Sequence, residues 1–238
     1  MAIDTTTDPH AVKPIRDLLT GFTPVQKPIS DTNNATLTYN IFNWTHAPTK
    51  PPPCPNTVYG SLTIQREQSD TEIMYHIHQQ TRIGGEPTIL NADIICNLDD
   101  TLKFWTLRTH REDTNSNPIP ISELRENWTN DNGHIHSQDG VYEYRATHPV
   151  FSLWTLPHIL MRESLPLPTT FDMLQDLSLF RPNQTLTNDG SITLDTITYK
   201  TYAQTGQGIL PIHYLLDHHH TPQLITFGLI AWSLTDIT

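Results

Sequence analysis

The sequence predicts a mainly β protein in which antiparallel strands surround a short helical insert. Charged residues make up only 16% of the 238 residues, and 19 prolines interrupt the chain. A chain rich in Thr and Pro, with little Lys or Glu, favours strands and turns over long helices. The predicted strands are joined by short turn signals, and parallel pairs would need crossovers of a dozen residues or more. We therefore expect a series of antiparallel hairpins.

The strands follow an N-terminal lead. Residues 10–20 predict a short helix that ends at Gly21, and residues 1–34 together form a helical and extended segment. We expect a single β domain over residues 35–238. Its strands are predicted over 35–42, 58–66, 72–80, 89–97, 101–109, 134–145, 191–203, 208–217 and 223–234. A change in apolar parity within 191–203 predicts a β-bulge near Asp195.

A helical insert is predicted over about residues 147–180. Thr147 followed by Pro149 is typical of a helix start. Apolar residues then recur at helical spacing, and Pro157 should kink or end the helix. A second short helix is expected to begin at Thr169 or Thr170.

The last predicted strand, residues 223–234, is apolar on both faces. One face carries Leu224, Ile230, Trp232 and Leu234, and the other carries Ile225, Phe227, Leu229 and Ala231. Such a strand cannot lie on a sheet that has one face in water. The helical insert could cover one face, and either packed core or a bound apolar ligand could cover the other.

Three segments carry a resemblance to known bacterial families: NADIICNLDDTLKFWTLRT, VFSLWTLPHILMRESLPLPTTFDMLQDLSLF and QTGQGILPIHYLLDHHHTPQLITFGLIAWSL. In the order of their elements, roughly residues 58–234 resemble lipoprotein carriers of the LolA-like type and the uncharacterised DUF3108-like proteins. The resemblance implies a strongly curved antiparallel sheet, an open half-barrel of about nine or more strands, with helices on its concave side. It also implies an acyl-chain or lipoprotein-like ligand in the concave groove.

The function predicted first is therefore a non-enzymatic binding protein without a cofactor. Its partner would be a hydrophobic ligand or a lipidated protein, held by apolar contacts. We expect the groove to be lined by Val150, Leu153, Trp154, Leu160, Phe227 and Trp232. A structural or assembly protein whose groove is filled by its own helices is an alternative.

A metal-dependent hydrolase is the other alternative. His76 and His78 lie two residues apart in a predicted strand, so their side chains leave the same face. Two such imidazoles can bind one Zn²⁺ if a third ligand is near, for example Asp93, Asp217 or a histidine of the run 218–220. The same two histidines alternate with apolar residues and fit the wet face of a strand. Adjacent histidines in a tight loop splay apart, so the run 218–220 favours a hairpin loop over a metal site.

The charge and composition of the chain argue against several classes of protein. A net charge of −11 repels phosphate backbones and disfavours nucleic-acid binding. No stretch is long enough to span a bilayer, and neither a nucleophile elbow nor a phosphate-binding glycine loop is present. Cys54 lies in a Pro-rich loop, and Cys96 is expected to be a buried hydrophobe. No signal peptide is recognisable, which favours a cytoplasmic protein unless the sequence is a mature exported form.

Overall fold

One continuous, curved and unclosed sheet organises the computed structural model. The structure describes residues 23–43, 57–82, 85–113, 115–194, 196–228 and 230–238. Fifteen strands, one α-helix and one 3₁₀ turn lie within this part of the chain. The prediction of a mainly β, open half-barrel is confirmed, although the strands are more numerous than the nine expected.

The first half of the sheet is a meander that precedes the helix. Its elements are β1 (Ala35–Asn43), β2 (Thr57–Gln68), β3 (Ile73–Thr81), β4 (Thr88–Cys96), β5 (Leu102–Arg111), the 3₁₀ turn (Pro120–Ser122), β6 (Leu124–Asp131), β7 (His134–Ser137) and β8 (Glu143–Arg145). The second half comprises β9 (Val150–Ser152), helix α1 (Leu156–Met161), β10 (Thr169–Gln175), β11 (Leu179–Leu194), β12 (Ile197–Thr205), β13 (Ile212–Leu216), β14 (Pro222–Phe227) and β15 (Ile230–Ile237).

The strand order places the first and last strands side by side in the middle of the sheet. It runs β8-β7-β6-β5-β4-β3-β2-β1-β15-β14-β13-β12-β11-β10-β9. All neighbouring strands are antiparallel except β9 and β10, which are parallel. The two outermost strands, β8 and β9, follow each other in sequence, so the chain crosses from one end of the sheet to the other between them.

Side chains connect the two ends of the curved sheet. The indole Nε1 of Trp105 on β5 donates to the carbonyl of Leu177, 2.9 Å away, in the turn between β10 and β11. Tyr144 of β8 stacks on Phe180 of β11 with ring centroids 5.2 Å apart. Its hydroxyl also donates to the carbonyl of Ser178 at 3.4 Å. These contacts hold opposite parts of the sheet together without a backbone ladder between them.

Buried and exposed residues alternate along many of the strands, so one face of the sheet forms the core and the other forms the outer surface. Ile73, Tyr75 and Ile77 of β3 are buried, and the residues between them are at least partly exposed. The main core contains residues from both halves of the sheet and the whole apolar face of α1. A smaller buried cluster lies on the opposite face of the central strands and consists of Phe42, Ile192, Tyr199, Leu215, Leu224 and Ala231. β14 is thus buried on both faces, as its apolar pattern predicts, and β13 is buried on both faces as well.

Three predicted strands are in fact hairpins. Residues 223–234 form β14 and β15, because Gly228 turns the chain with a positive φ of 58°. Residues 134–145 form β7 and β8 around Gly140. The parity change within 191–203 reflects the turn between β11 and β12 rather than a bulge within one strand.

The helical insert is shorter than predicted. Pro149 precedes strand β9, and the helix begins only at Leu156, so Pro157 lies in its first turn. Proline is tolerated there because the first N–H groups of a helix have no partner within it. The helix predicted from Thr169 or Thr170 is wrong, since these residues begin β10. β10 lies between β9 and β11 and is buried from Phe171 to Leu174, so it lacks a polar face that would reveal its strand period.

Some predictions lie outside the described residues: the helix over 10–20, the loop at Cys54, and the side chains of Asp195 and Leu229. Cys96 is fully buried, as expected, and burial raises the pKa of its thiol. Within the described part of the chain, no helix has both the length and the apolar character needed to cross a membrane.

Candidate functional site

A cavity of about 280 Å³ lies between helix α1, the segment that follows it, and the strands β11 and β12. Its apolar lining comes from Ile159 and Leu160 on the helix and from Leu165 and Leu167 after it. Asn188, Lys200, Tyr202 and Glu163 complete the boundary. The volume lies near the lower end of the range of small-molecule pockets, and the lining is divided between apolar and polar residues.

The end of the helix shapes one wall of this cavity. The N–H of Glu163 donates to the carbonyl of Leu160 at 3.1 Å, and that of Ser164 donates to Ile159 at 3.4 Å. This pair of bonds is the Schellman arrangement that ends many helices. Glu163 has a positive φ of 49°, which turns the chain away from the helix axis.

The segment between the helix and β10 has no regular secondary structure, and two of its leucines contact the core. Leu165 and Leu167 are partly buried and pack against the main core, whereas Pro166 and Pro168 are exposed. Proline disfavours a helical conformation of the residue before it, so the sequence LPLP keeps this segment from continuing α1. The alternation gives the cavity an apolar wall next to solvent.

The opposite wall is the sheet. Lys200 and Tyr202 are two residues apart on β12 and share one face. Asn188 of β11 pairs with Tyr202 across the two strands. Tyr202 is buried in the main core, and the Nζ atom of Lys200 lies 5.1 Å from the centroid of its ring.

A charged group of three side chains lies at the edge of the cavity. Oε1 of Glu163 is 2.8 Å from Nζ of Lys200 and 3.0 Å from Nδ1 of His220. The hydrogen bond from Lys200 is the main cause that lowers the pKa of Glu163, and the same bond raises the pKa of Lys200. Both groups are therefore charged at neutral pH.

The three consecutive histidines form a hairpin loop, as predicted. The loop joins β13 to β14 and is fixed by Asp217, whose carboxylate accepts hydrogen bonds from the N–H groups of His219 and Thr221. Both His218 and His219 are exposed, but their rings do not splay apart as expected, since the ring centroids are 3.8 Å apart. His220 has a positive φ of 62° and contacts Glu163 at the cavity.

The structure does not gather the predicted groove residues at one cavity. Leu160 lines the cavity described above, while Val150 lines a separate polar cleft of about 400 Å³ beside Asn130 and His148. The other four predicted residues belong to the main core or pack against it: Leu153, Trp154, Phe227 and Trp232. Phe227 and Trp232 contact each other in a T-shaped arrangement at 5.0 Å. Much of the concave face is thus filled by the protein's own side chains.

His76 and His78 lie on the outer face of β3. Nδ1 of His76 is 2.6 Å from Oδ1 of Asp93, and Nδ1 of His78 is 2.8 Å from Oδ1 of Asn91. These neighbours follow from the cross-strand pairing of β3 and β4. In the ranges for which the structure gives positions, no group of three or more His, Cys, Asp or Glu residues has the arrangement needed to hold a metal ion.

A buried polar cluster beside α1 was not predicted from the sequence. Asp100, which is 1% exposed, accepts a hydrogen bond from the hydroxyl of Tyr75 at 2.6 Å. Arg66 and Arg162 both pair with the same carboxylate. His158 packs edge-on against Tyr75, and burial lowers its pKa to about 3. The cluster attaches the helix to the first half of the sheet.

The sequence contains no local pattern that identifies this cluster as a whole. The pair Asp99-Asp100 predicts a turn, which is correct, and the left-handed conformation of Asp100 is common for Asp in turns. Its partners lie 25 to 62 residues away in the chain. The register of the sheet and the position of α1 bring them together.

Comparison with known proteins gives little further information. No family model matches the chain, and no curated protein matches it in sequence. Among solved structures, a DUF1089 family protein from Pseudomonas aeruginosa is similar with a TM-score of 0.42 and 12% identity, over 78% of this chain and 96% of that one. A likeness at this level carries no argument about family or function. The resemblance to LolA-like and DUF3108-like proteins is not confirmed by these comparisons.

Proposed function

We propose that this is a non-enzymatic binding protein that holds an apolar chain in the cavity beside α1. The ligand would be an acyl chain, either of a free lipid or of a lipidated protein. The observation that supports this proposal is the cavity next to the helix, which has apolar walls formed by Ile159, Leu160, Leu165 and Leu167. These four side chains would contact the ligand, and Tyr202 would form the floor.

The physical basis of binding is the removal of apolar surface from water. Each buried methylene contributes about 0.8 kcal/mol, so affinity should rise about fourfold with each added methylene. The rise should stop when the cavity is full. Leu165 and Leu167 are partly exposed and lie on a segment outside the sheet, so they can separate to admit a chain without breaking a ladder of strand hydrogen bonds.

Native mass spectrometry of the gently purified protein tests this proposal first. We expect an added mass of a few hundred daltons that denaturation releases. A series of saturated fatty acids of increasing length should then displace a fluorescent fatty-acid probe with an affinity that increases and levels off. A bare polypeptide mass together with no displacement by any chain length would contradict the proposal and favour a structural protein.

A cavity-filling variant locates the site. Leu167→Trp places an indole against the cavity, and we expect it to weaken probe binding at least tenfold. Leu210→Trp is the matched control, since Leu210 is 67% exposed and does not line this cavity. Equal binding by the wild type and Leu167→Trp would place the ligand elsewhere.

A further inference from the structure

We infer that the ligand of the cavity beside α1 has an anionic headgroup, and that Lys200 binds this headgroup at the edge of the cavity. The inference rests on the proposed function and adds the chemical class of the ligand. It is carried by the position of a charged group, Glu163, Lys200 and His220, directly beside an apolar wall.

Lys200 lies at the border between the apolar cavity and solvent. Its side chain is 37% exposed, and its ammonium lies near the ring of Tyr202. An apolar chain that fills the space between Leu160 and Leu167 would therefore have its polar end near Nζ of Lys200. A lysine in this arrangement buries its aliphatic part and keeps its charge at the surface.

Glu163 can release Lys200 without losing every basic partner. Its Oε1 atom contacts both Lys200 and His220, at 2.8 and 3.0 Å. When the headgroup of a ligand takes the place of Glu163 on Lys200, the contact with His220 is retained. The headgroup would therefore replace one carboxylate at Lys200, while that carboxylate keeps a second hydrogen-bond partner.

The backbone at Glu163 supports a role for its charge. A positive φ at the end of a helix is usually taken by glycine, because a side chain is strained there. In this chain the position carries a carboxylate, which is paired with the lysine of the cavity. It acts as a built-in competitor that occupies Lys200 when no ligand is bound.

A local cation is needed if an anionic ligand is to be held by this protein. The net charge of −11 repels anions at long range. At physiological ionic strength that repulsion is screened beyond about 8 Å. The contact with the ammonium of Lys200 is then the electrostatic interaction that the headgroup would experience most strongly.

The test compares ligands that share a chain and differ only in headgroup. Decanoate, decyl phosphate, decanol and decylamine are used to displace the fluorescent probe at fixed pH and salt. We expect the wild type to bind at least one of the two anions about fivefold more tightly than decanol, and decylamine more weakly. Whichever anion binds more tightly identifies the headgroup as carboxylate or phosphate.

Two variants assign this preference to the charged group. Lys200→Met should remove the preference for the anions over decanol. Lys103→Met is the matched control, because Lys103 is 56% exposed and lies outside this cavity. Glu163→Gln should strengthen binding of the anions severalfold, since it removes the competing carboxylate.

The outcomes separate the two proposals. If none of the four ligands displaces the probe, the proposed function fails. If decanol and the anions bind the wild type equally, or if Lys200→Met keeps the preference, the inference is wrong while the proposed function stands.

Discussion

Trp105 and Leu177 are 72 residues apart, yet the indole N–H of the first donates to the carbonyl of the second at 2.9 Å. Trp105 lies on β5 in one half of the sheet, and Leu177 lies in the turn that joins β10 to β11 in the other half. The two ends of the sheet are not joined by a backbone ladder. Single side-chain contacts of this kind therefore maintain the curvature of the sheet and the shape of the space inside it.

Replacement of Trp105 by Phe should destabilise the protein more than the same change at Trp154. Both indoles are buried, but Nε1 of Trp154 has no hydrogen-bond partner. Trp105→Phe leaves the carbonyl of Leu177 unpaired in a buried place, which costs about 1–3 kcal/mol beyond the loss of ring volume. Urea unfolding of the two variants measures this difference. If both variants lose the same free energy of unfolding, the hydrogen bond from Trp105 to Leu177 contributes nothing to stability.

The sequence predicts a strand of this fold correctly when one face of that strand is exposed to solvent and the other is buried. The alternation of Ile73, Tyr75 and Ile77 with polar residues predicts β3 correctly, because only one face is buried. β14 and β15 carry apolar residues on both faces, and no Asn, Asp or Pro lies where one strand turns into the next. Gly228 lies in that turn with a positive φ, and a single glycine in an apolar run is a weak signal.

The candidate site could likewise be predicted from the sequence only in part. Leu160 was predicted because its spacing within the insert is helical, and it does line the cavity. The pairing of Glu163 with Lys200 joins residues 37 positions apart and depends on where β12 lies relative to the end of α1. No local pattern contains that information. The groove residues Phe227 and Trp232 were predicted from apolarity alone, which does not distinguish a packed core from a binding surface.

The buried carboxylate of Asp100 should be essential for stability. It is shared by the guanidinium groups of Arg66 and Arg162. Asp100→Asn keeps the size of the side chain and suits the positive φ at this position, but it leaves two arginines without a counter-charge. We expect a loss of about 3–5 kcal/mol in the free energy of unfolding. Asp99→Asn is the control, since Asp99 is exposed and should cost less than about 0.5 kcal/mol.

Gly60 should not tolerate even a methyl group. A Cβ atom at this position would lie 1.9 Å from the carbonyl oxygen of Gln80 and 2.8 Å from Cα of Thr81. Both are backbone atoms of β3, so the ladder between β2 and β3 would have to shift. We expect Gly60→Ala to cost about 2–3 kcal/mol. Gly140→Ala meets no atom within 4 Å and should cost about 1 kcal/mol through its positive φ alone. Thermal or urea unfolding that ranks the two variants in the reverse order would contradict this prediction.

The buried imidazole of His158 should make the protein sensitive to acid. Burial lowers its pKa from 6.5 to about 3, so the unfolded chain binds a proton at a pH where the folded protein does not. Stability therefore falls as the pH is lowered from about 6.5 toward 3, and each unit of that pKa shift is worth about 1.4 kcal/mol. His158→Gln removes the titrating group and should flatten this part of the stability curve, while lowering stability at neutral pH through lost packing against Tyr75. His78→Gln, which changes an exposed imidazole on the outer face of β3, is the control. The measurement is urea unfolding of the three proteins at intervals between pH 7.5 and 4.5. If the wild type and His158→Gln lose stability in parallel over that range, groups other than His158 cause the sensitivity to acid.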